Sequence, residues 1–239
     1  MRMPFEIRSN GQWSYLYYPV LESQGIFHGF GTRPRWTSGE EPGIEEAISA
    51  FSLDPHILMY QEHGDTVHLI KGGERPDRGD GLFILERNVA GIIKTADCLP
   101  VILHDTSTPA VAIVHAGWRG TALGIASKAA KHMLALGCKL EAMGALIGPG
   151  IGPCCYNVQE DVASVFRAKG FDEPILQSRN GSLYLDLKAA NIEMLQKEGL
   201  KTFYDVDLCT HCRKDLFHSA RRDKGNGRQI NFVAIRGIL

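Results

Sequence analysis

Apolar and polar positions along the chain alternate between two periods, and the clearest signal is Ala110-Val111-Ala112-Ile113-Val114-His115. Such a continuous apolar run closing in a histidine is the pattern of a buried strand. Shorter apolar runs predict strands at 66–70, 89–94, 101–104, 142–147, 203–208 and 230–235, with Thr95 to Pro100 interrupting the second and third. Helical spacing predicts elements at 44–51, ended before Pro55, and at 122–136, with Thr121 as N-cap and Gly137 as the stop. Amphipathic stretches at 158–168 and 187–198 complete the helices. Gly117-Trp118-Arg119-Gly120 reads as a turn, and Gly148 to Pro153 as a rigid loop. Thr32 to Gly43 and Lys71 to Gly81 read as surface excursions, neither long enough to be a linker. Strands and helices interleave without a strict βαβ rhythm. The expected fold is therefore α+β (mixed α/β), with mixed sheets and helices packed outside, in one domain over residues 1–239.

Composition narrows the partners. Of 239 residues, 26 are Lys or Arg and 27 are Asp or Glu, so the formal net charge is −1 and the basic footprint of a nucleic-acid binder is missing. Apolar residues make up 44 %, which excludes wholesale disorder. No run approaches the ~20 apolar residues of a membrane helix. The start, Met1-Arg2-Met3-Pro4-Phe5-Glu6, lacks the apolar core of a secretory signal. A cytoplasmic location is expected, with the six cysteines as thiols or metal ligands rather than a disulfide framework.

Three segments place a candidate ligand beside a tight turn: Gln61-Glu62-His63-Gly64-Asp65, Thr95-Ala96-Asp97-Cys98-Leu99-Pro100 and His115-Ala116-Gly117-Trp118-Arg119-Gly120. Two imidazoles and a thiolate suit Zn²⁺, with the fourth tetrahedral position open to water or substrate. Their separations, 35 and 17 residues, match no compact metal motif, so buried structural residues remain the alternative.

The last two of these segments, followed by Gly148-Pro149-Gly150-Ile151-Gly152-Pro153 and by Cys209-Thr210-His211-Cys212 with Asp215, Phe217, Ser219, Arg221 and Gly227-Arg228, resemble the YfiH/laccase-domain family. That family is also called the polyphenol oxidase or peptidoglycan-editing-factor family. The resemblance implies a zinc site at His63, Cys98 and His115, with Cys98 and His115 also in catalysis. It implies phosphorolysis of inosine, guanosine, adenosine and methylthioadenosine, together with adenosine deamination, so that purine nucleosides and phosphate are the expected partners. It also points to Arg33 as a pocket residue. Here the chain departs from the family: Thr32-Arg33 is followed by Pro34-Arg35-Trp36 rather than a Gly-Gly-Val-Ser type turn, and Gln61-Glu62-His63-Gly64 replaces Gln-Val-His-Gly.

The other residues divide between chemistry and packing. Arg119, in a glycine-flanked turn before a helix, suits phosphate, or is a surface or packing arginine. Trp118 stacks on a purine or anchors the turn. Asp97 on a regular strand would point away from Cys98, and Asp80 reads as a solvated loop carboxylate with acid catalysis as its alternative. Cys209-x-x-Cys212 could share a second zinc with Cys154 and Cys155 or form a redox pair, but adjacent cysteines seldom reach one metal and no thioredoxin-like βαβ context surrounds 209–212. Pocket-lining or buried thiols are the expectation. Copper is a second candidate cofactor, since a His₂Cys set holds it when a weak axial ligand is present. A multicopper cluster is excluded because the nine histidines contain no His-x-His pair. A cysteine hydrolase, or a peptidoglycan-precursor editing enzyme, with Cys98 as nucleophile and His115 as base is the competing reading. Nucleobase-deaminase zinc motifs, His-x-Glu with Pro-Cys-x-x-Cys, are absent from the sequence.

Overall fold

The computed structural model describes residues 5–35 and 43–236. In chain order its strands are β1 Glu6–Asn10, β2 Trp13–Tyr17, β3 Ile26–Gly31, β4 His56–Leu58, β5 Val67–Ile70, β6 Gly81–Ile84, β7 Ala90–Thr95 and β8 Leu99–Asp105. They continue with β9 Ala110–Ala116, β10 Met143–Ile147, β11 Asn157–Val158, β12 Leu176–Arg179, β13 Ser182–Leu185, β14 Thr202–Asp205 and β15 Gln229–Ile235. The helices are α1 Pro19–Glu22, α2 Ile44–Ala50, α3 Trp118–Ala122, α4 Ile125–Ala135, α5 Glu160–Ala168 and α6 Leu187–Lys197.

Two six-stranded mixed sheets dominate, one ordered β1-β2-β3-β15-β7-β4 and the other β14-β10-β8-β9-β6-β5, with a small sheet β11-β13-β12 beside them. Side-chain alternation sorts the core into layers. Ile26 and Phe30 of β3, Ile93 of β7 and Val233 of β15 meet Leu82, Ile84, Ile102, Val111, Ile113 and Leu146 of the second sheet, so the two sheets pack face to face. The outer face of the first sheet, with Phe27, Ile92 and Phe232, packs on Ala47 and Ile48 of α2. The outer face of the second, with Val101, Ala112 and Ala145, packs on Ile125, Ala129 and Met133 of α4. The result is a helix–sheet–sheet–helix stack, with the mixed sheets and outer helices expected from the interleaving of elements.

Several local readings are corrected. The turn expected at 117–120 is the start of a helix, α3, and the helix expected from Ala122 with Thr121 as cap begins instead at Ile125, because Gly124, at φ +76°, breaks the path between α3 and α4. Left-handed backbone costs an L-residue about 1–2 kcal/mol and glycine almost nothing, which is why the break falls there. Strand β8 begins at Leu99 and carries Pro100, so the interruption after β7 is shorter than expected. The late strand β14 stops at Asp205. Of the excursion expected at 32–43, residues 36–42 lie outside the described residues, and Thr32, Arg33 and Arg35 are held by backbone bonds to Ser14, Leu216 and Gln12.

Candidate active site

The pairing of β6 with β9 sets Gly81 against Val114, and the ladder runs one step further as the His115 amide donates to the Asp80 carbonyl at 2.7 Å. This brings the Asp80 carboxylate, only 1 % exposed, to the His115 ring, whose Nδ1–H donates to Oδ1 at 2.8 Å. The same carboxylate accepts the backbone N–H groups of Glu62, His63 and Gly64 at 3.1, 3.0 and 2.8 Å. One buried acid thus orients His115 and fixes the loop that carries His63. Asp80 is therefore not the solvated loop carboxylate expected from Arg78-Gly79-Asp80-Gly81; strand pairing buries it. On the other side of β9, β8 pairs Pro100 with His115 and places Cys98 beside Gly117. A Cβ at Gly117 would sit 3.1 Å from the Cys98 Sγ and 3.3 Å from a His63 ring carbon, so glycine is what the packing allows.

His63, Cys98 and His115 therefore converge, with one ligand atom from each lying within 4.8 Å of the others. The two imidazoles meet edge to face at 4.8 Å between centroids. His63 holds this place at φ +59°, uncommon backbone for a residue with a side chain and the kind of local strain that functional sites retain. Burial raises the Cys98 thiol, but hydrogen bonds from His115 and His63 outweigh it and bring it down to about 6. Burial would depress His115, yet Asp80 and Cys98 together lift it to about 9. Asp80, although burial works against its charge, is held below the ordinary carboxylate range by His115 and the backbone amides. With Nδ1 taken by Asp80, His115 presents Nε2 toward the cluster, the arrangement a metal-ligating histidine needs. Two nitrogens and a sulfur at this spacing fit a borderline divalent metal.

The cluster floors a cavity of about 380 Å³. Facing it are the cationic residues Lys94, Arg221 and Arg228 and the rings of Tyr60 and Tyr156. The Gln61 amide bonds both the amide and the carbonyl of Lys94, at 2.7 and 2.8 Å, which ties the histidine loop to β7. Arg221 is positioned by a bond from its Nη1 to the Asn157 carbonyl and Arg228 by bonds to Gly225 and Gly227. Asp97, at φ +82°, leaves the strand path. Its carboxylate accepts from the Thr210 and Ser219 hydroxyls and from the Arg221 amide, at 2.7, 3.0 and 2.8 Å. It anchors the arginine-bearing segment. The two arginines singled out from sequence are not among the residues lining the cavity. Arg119 is not in a turn but one residue into α3, where its guanidinium lies 4.4 Å from the centroid of Trp118, and Trp118 packs against the core around Phe166. Arg33 donates to the Lys214 carbonyl at 3.0 Å. The arginines that do line it, Arg221 and Arg228, lie in the late block that carries the resemblance, where their charge was the available signal.

Cys154 and Cys212 are exposed and Cys155 and Cys209 half-buried, and none lines this cavity, but Cys154 and Cys209 line a neighbouring pocket of about 220 Å³, as the pocket-lining expectation has it. Their four sulfurs lie within 4.8 Å of one another.

The family profile described as "Multi-copper polyphenol oxidoreductase laccase" matches residues 44–236. The chain belongs to this laccase-domain family. Among its laccase-domain relatives, a protein from Deinococcus radiodurans named purine nucleoside phosphorylase is 36 % identical over 180 residues, 75 % of this chain and 69 % of that protein. A human protein of that name is 29 % identical over 235 residues, covering 92 % of this chain. The chain spans about half the length of the human and mouse relatives it matches, 53 % and 52 %. A prokaryotic relative named adenosine deaminase is 34 % identical over 185 residues, 71 % of each chain. The crystal structure of YlmD from Geobacillus stearothermophilus superposes with a TM-score of 0.86 at 26 % identity, over 98 % of this chain and 100 % of that one. The laccase-domain description implies a metal, and among the described residues the set of two histidines and one cysteine is a group suited to hold it.

Proposed function

We propose that residues 1–239 form one catalytic domain that phosphorolyses purine nucleosides, with Zn²⁺ held by His63, Cys98 and His115. The observation that carries this reading is a metal-type donor set facing Lys94, Arg221 and Arg228 across one cavity. In phosphorolysis a phosphate oxygen bonds to C1′ of the ribose as the C1′–N bond breaks. The base departs with the electron pair and takes a proton on its ring nitrogen, leaving ribose 1-phosphate. Lys94, Arg221 and Arg228 bind and orient the phosphate; Arg221 and Arg228 are each already fixed by backbone carbonyls and keep guanidinium donors to spare. Tyr60 and Tyr156 offer ring faces to a purine. Asp80 keeps the ligand histidines in place. A zinc ion in this set supplies Lewis acidity at the cavity floor. Inosine, guanosine, adenosine and methylthioadenosine fall within the proposed substrate class, the last giving methylthioribose 1-phosphate, and deamination of adenosine is a second proposed activity at the same site. Its free thiols suit a reducing, cytoplasmic setting.

A second reading rests on one observation: the Cys98 thiol near 6, His115 near 9 and Asp80 behind it also form a nucleophile, base and orienting acid. Such a cysteine hydrolase, an editing enzyme of peptidoglycan precursors included, would need Cys98 unligated. Copper is the weaker choice for the metal, because no methionine is among the residues lining the cavity.

Metal-defined protein given inosine with and without phosphate separates these readings. Hypoxanthine and ribose 1-phosphate are expected only with phosphate, with turnover lost in Cys98→Ala. Arg228→Ala is expected to raise the KM for phosphate roughly 10–100-fold, the worth of one charge-assisted hydrogen bond. Base release that ignores phosphate would overturn the phosphorolytic reading.

A further inference from the structure

The sulfurs of Cys154, Cys155, Cys209 and Cys212 come from two turns more than fifty residues apart, and all four lie within 4.8 Å of one another. Cys212 is 3.7 Å from Cys154 and 3.4 Å from Cys155, sulfur to sulfur. Zinc–thiolate bonds of about 2.3 Å place the corners of a tetrahedron about 3.8 Å apart, so these spacings are those of four ligands round one ion. A disulfide needs sulfurs at about 2 Å, and all four are free thiols.

Adjacent cysteines reach one point here because the chain folds back on itself. The amides of Cys155 and Tyr156 both donate to the Gly152 carbonyl at 2.9 Å, a turn that brings both sulfurs to one side. The Arg213 amide closes the opposing Cys209-x-x-Cys212 turn onto the Cys209 carbonyl at 3.0 Å. Backbone N–H groups of Gly152, at 3.2 Å, and of Cys212 donate to the Cys209 sulfur, the outer support that thiolate ligands use. A Cβ on Gly152 would stand 3.3 Å from the Cys154 sulfur and 3.4 Å from the Cys209 Cβ, so the two turns pack closely at this glycine.

We propose that Cys154, Cys155, Cys209 and Cys212 bind a second Zn²⁺, separate from the cavity cluster, in a closed all-thiolate site that holds the cavity wall. Four protein ligands leave no position for substrate, which makes the role structural. The clamp joins the segment carrying Ile151 and Tyr156 to the segment carrying Arg221, all three of which line the cavity. Between them run the bonds from the Thr210 amide to the Gly150 carbonyl and from the Thr210 hydroxyl to Asp97. The ligands bind as thiolates, so uptake of the ion releases their protons and weakens as pH falls.

The test counts metal on full-length protein purified under reducing conditions and loaded with zinc. Cys98→Ala, which disables the cavity cluster, is expected to retain one equivalent, and chelation of that ion is expected to unmask four thiols and lower the Tm by roughly 5 °C or more. Cobalt in the same variant is expected to give a strong thiolate-to-metal charge-transfer band. Cys155→Ser/Cys212→Ser is expected to lack this second equivalent. If it does not fold, the Cys98→Ala measurements decide. A Cys98→Ala protein without zinc, or one whose four thiols are found as disulfides, would overturn the proposal. The count stands whether or not the protein turns over nucleosides.

Discussion

Two acidic residues organise the candidate site without lining up as its reactive groups. Asp80 spends its carboxylate on one imidazole and three backbone amides, and Asp97 on two hydroxyls and one amide. Each sets the position of a neighbour at the cavity: Asp80 holds the His115 ring, and Asp97, which itself lines the cavity, holds the segment of Arg221. Asp80→Asn keeps the size of the side chain but replaces one charged acceptor with an amide donor facing backbone N–H groups. The expected outcome is a 10–100-fold loss of metal affinity, read by competition with a chromophoric chelator, with the far-ultraviolet circular dichroism retained. At this scale His63, Cys98 and His115 were legible as candidates, because each stands beside a turn of distinctive composition, but separations of 35 and 17 residues do not join them and only the family resemblance did. Asp80 was not, because its flanks, Gly79 and Gly81, look like a loop, and its burial comes from a strand 35 residues away. Nor were the four thiols, because a Cys-Cys pair converges only through a backbone turn that spacing does not encode.

Among the elements, those with one dominant apolar pattern were readable and those with mixed pattern were not. Strands β7 to β10 carry long buried runs and lie in the expected places. Strands β1 to β3 were left unread: β1 is exposed throughout, β2 is buried throughout despite Ser14, and neither alternates. After His115 the two glycines of Gly117-Trp118-Arg119-Gly120 hid the short helix α3 behind a turn signal, and the apolar spacing carried the expected start of α4 back to Ala122. Gly124 is the residue that separates them, and a Cβ there has room, its nearest neighbour being 3.9 Å away. The expected cost of Gly124→Ala is therefore backbone strain alone, about 1 kcal/mol, seen as a fall in Tm of roughly 2–4 °C, with Gly124→Asn falling less.

Across the whole molecule, the interface between the two large sheets holds two buried histidines. His28 accepts the Tyr18 amide at 3.1 Å, while both ring nitrogens of His104 are buried without a hydrogen-bond partner among the described residues. Burial pushes each down to about 4, against 6.5 in an unfolded chain. Between those values the unfolded state binds more protons, so the contribution of these two groups to stability is complete above about pH 6.5 and is lost as pH falls toward 4. Urea midpoints measured from pH 7 to pH 4 are expected to drop, at up to roughly 3 kcal/mol per pH unit while both titrate. His104→Leu, which removes one of the two groups and its unpaired nitrogens, is expected to flatten that limb to about half. The layered plan was legible from the interleaving of strands and helices; which faces meet was not, since pairing of the sheets depends on contacts between residues far apart in the chain.

The sandwich has a consequence for rate. His115 lies on, and Asp80 and Cys98 immediately precede, strands of one large sheet, whereas Lys94 lies on, and Arg228 immediately precedes, strands of the other. The span between the His/Cys cluster and these cations is thus a distance between two sheets, set by what fills the gap. Phe30 is part of that filling: it is wholly buried, and its ring crowds the place where a Cβ of Gly148 would stand, at 2.5 Å. On the proposed function, core volume and turnover are mechanically linked, and substitutions that touch neither the His/Cys cluster nor the substrate tune the reaction by opening or closing the calliper by fractions of an ångström.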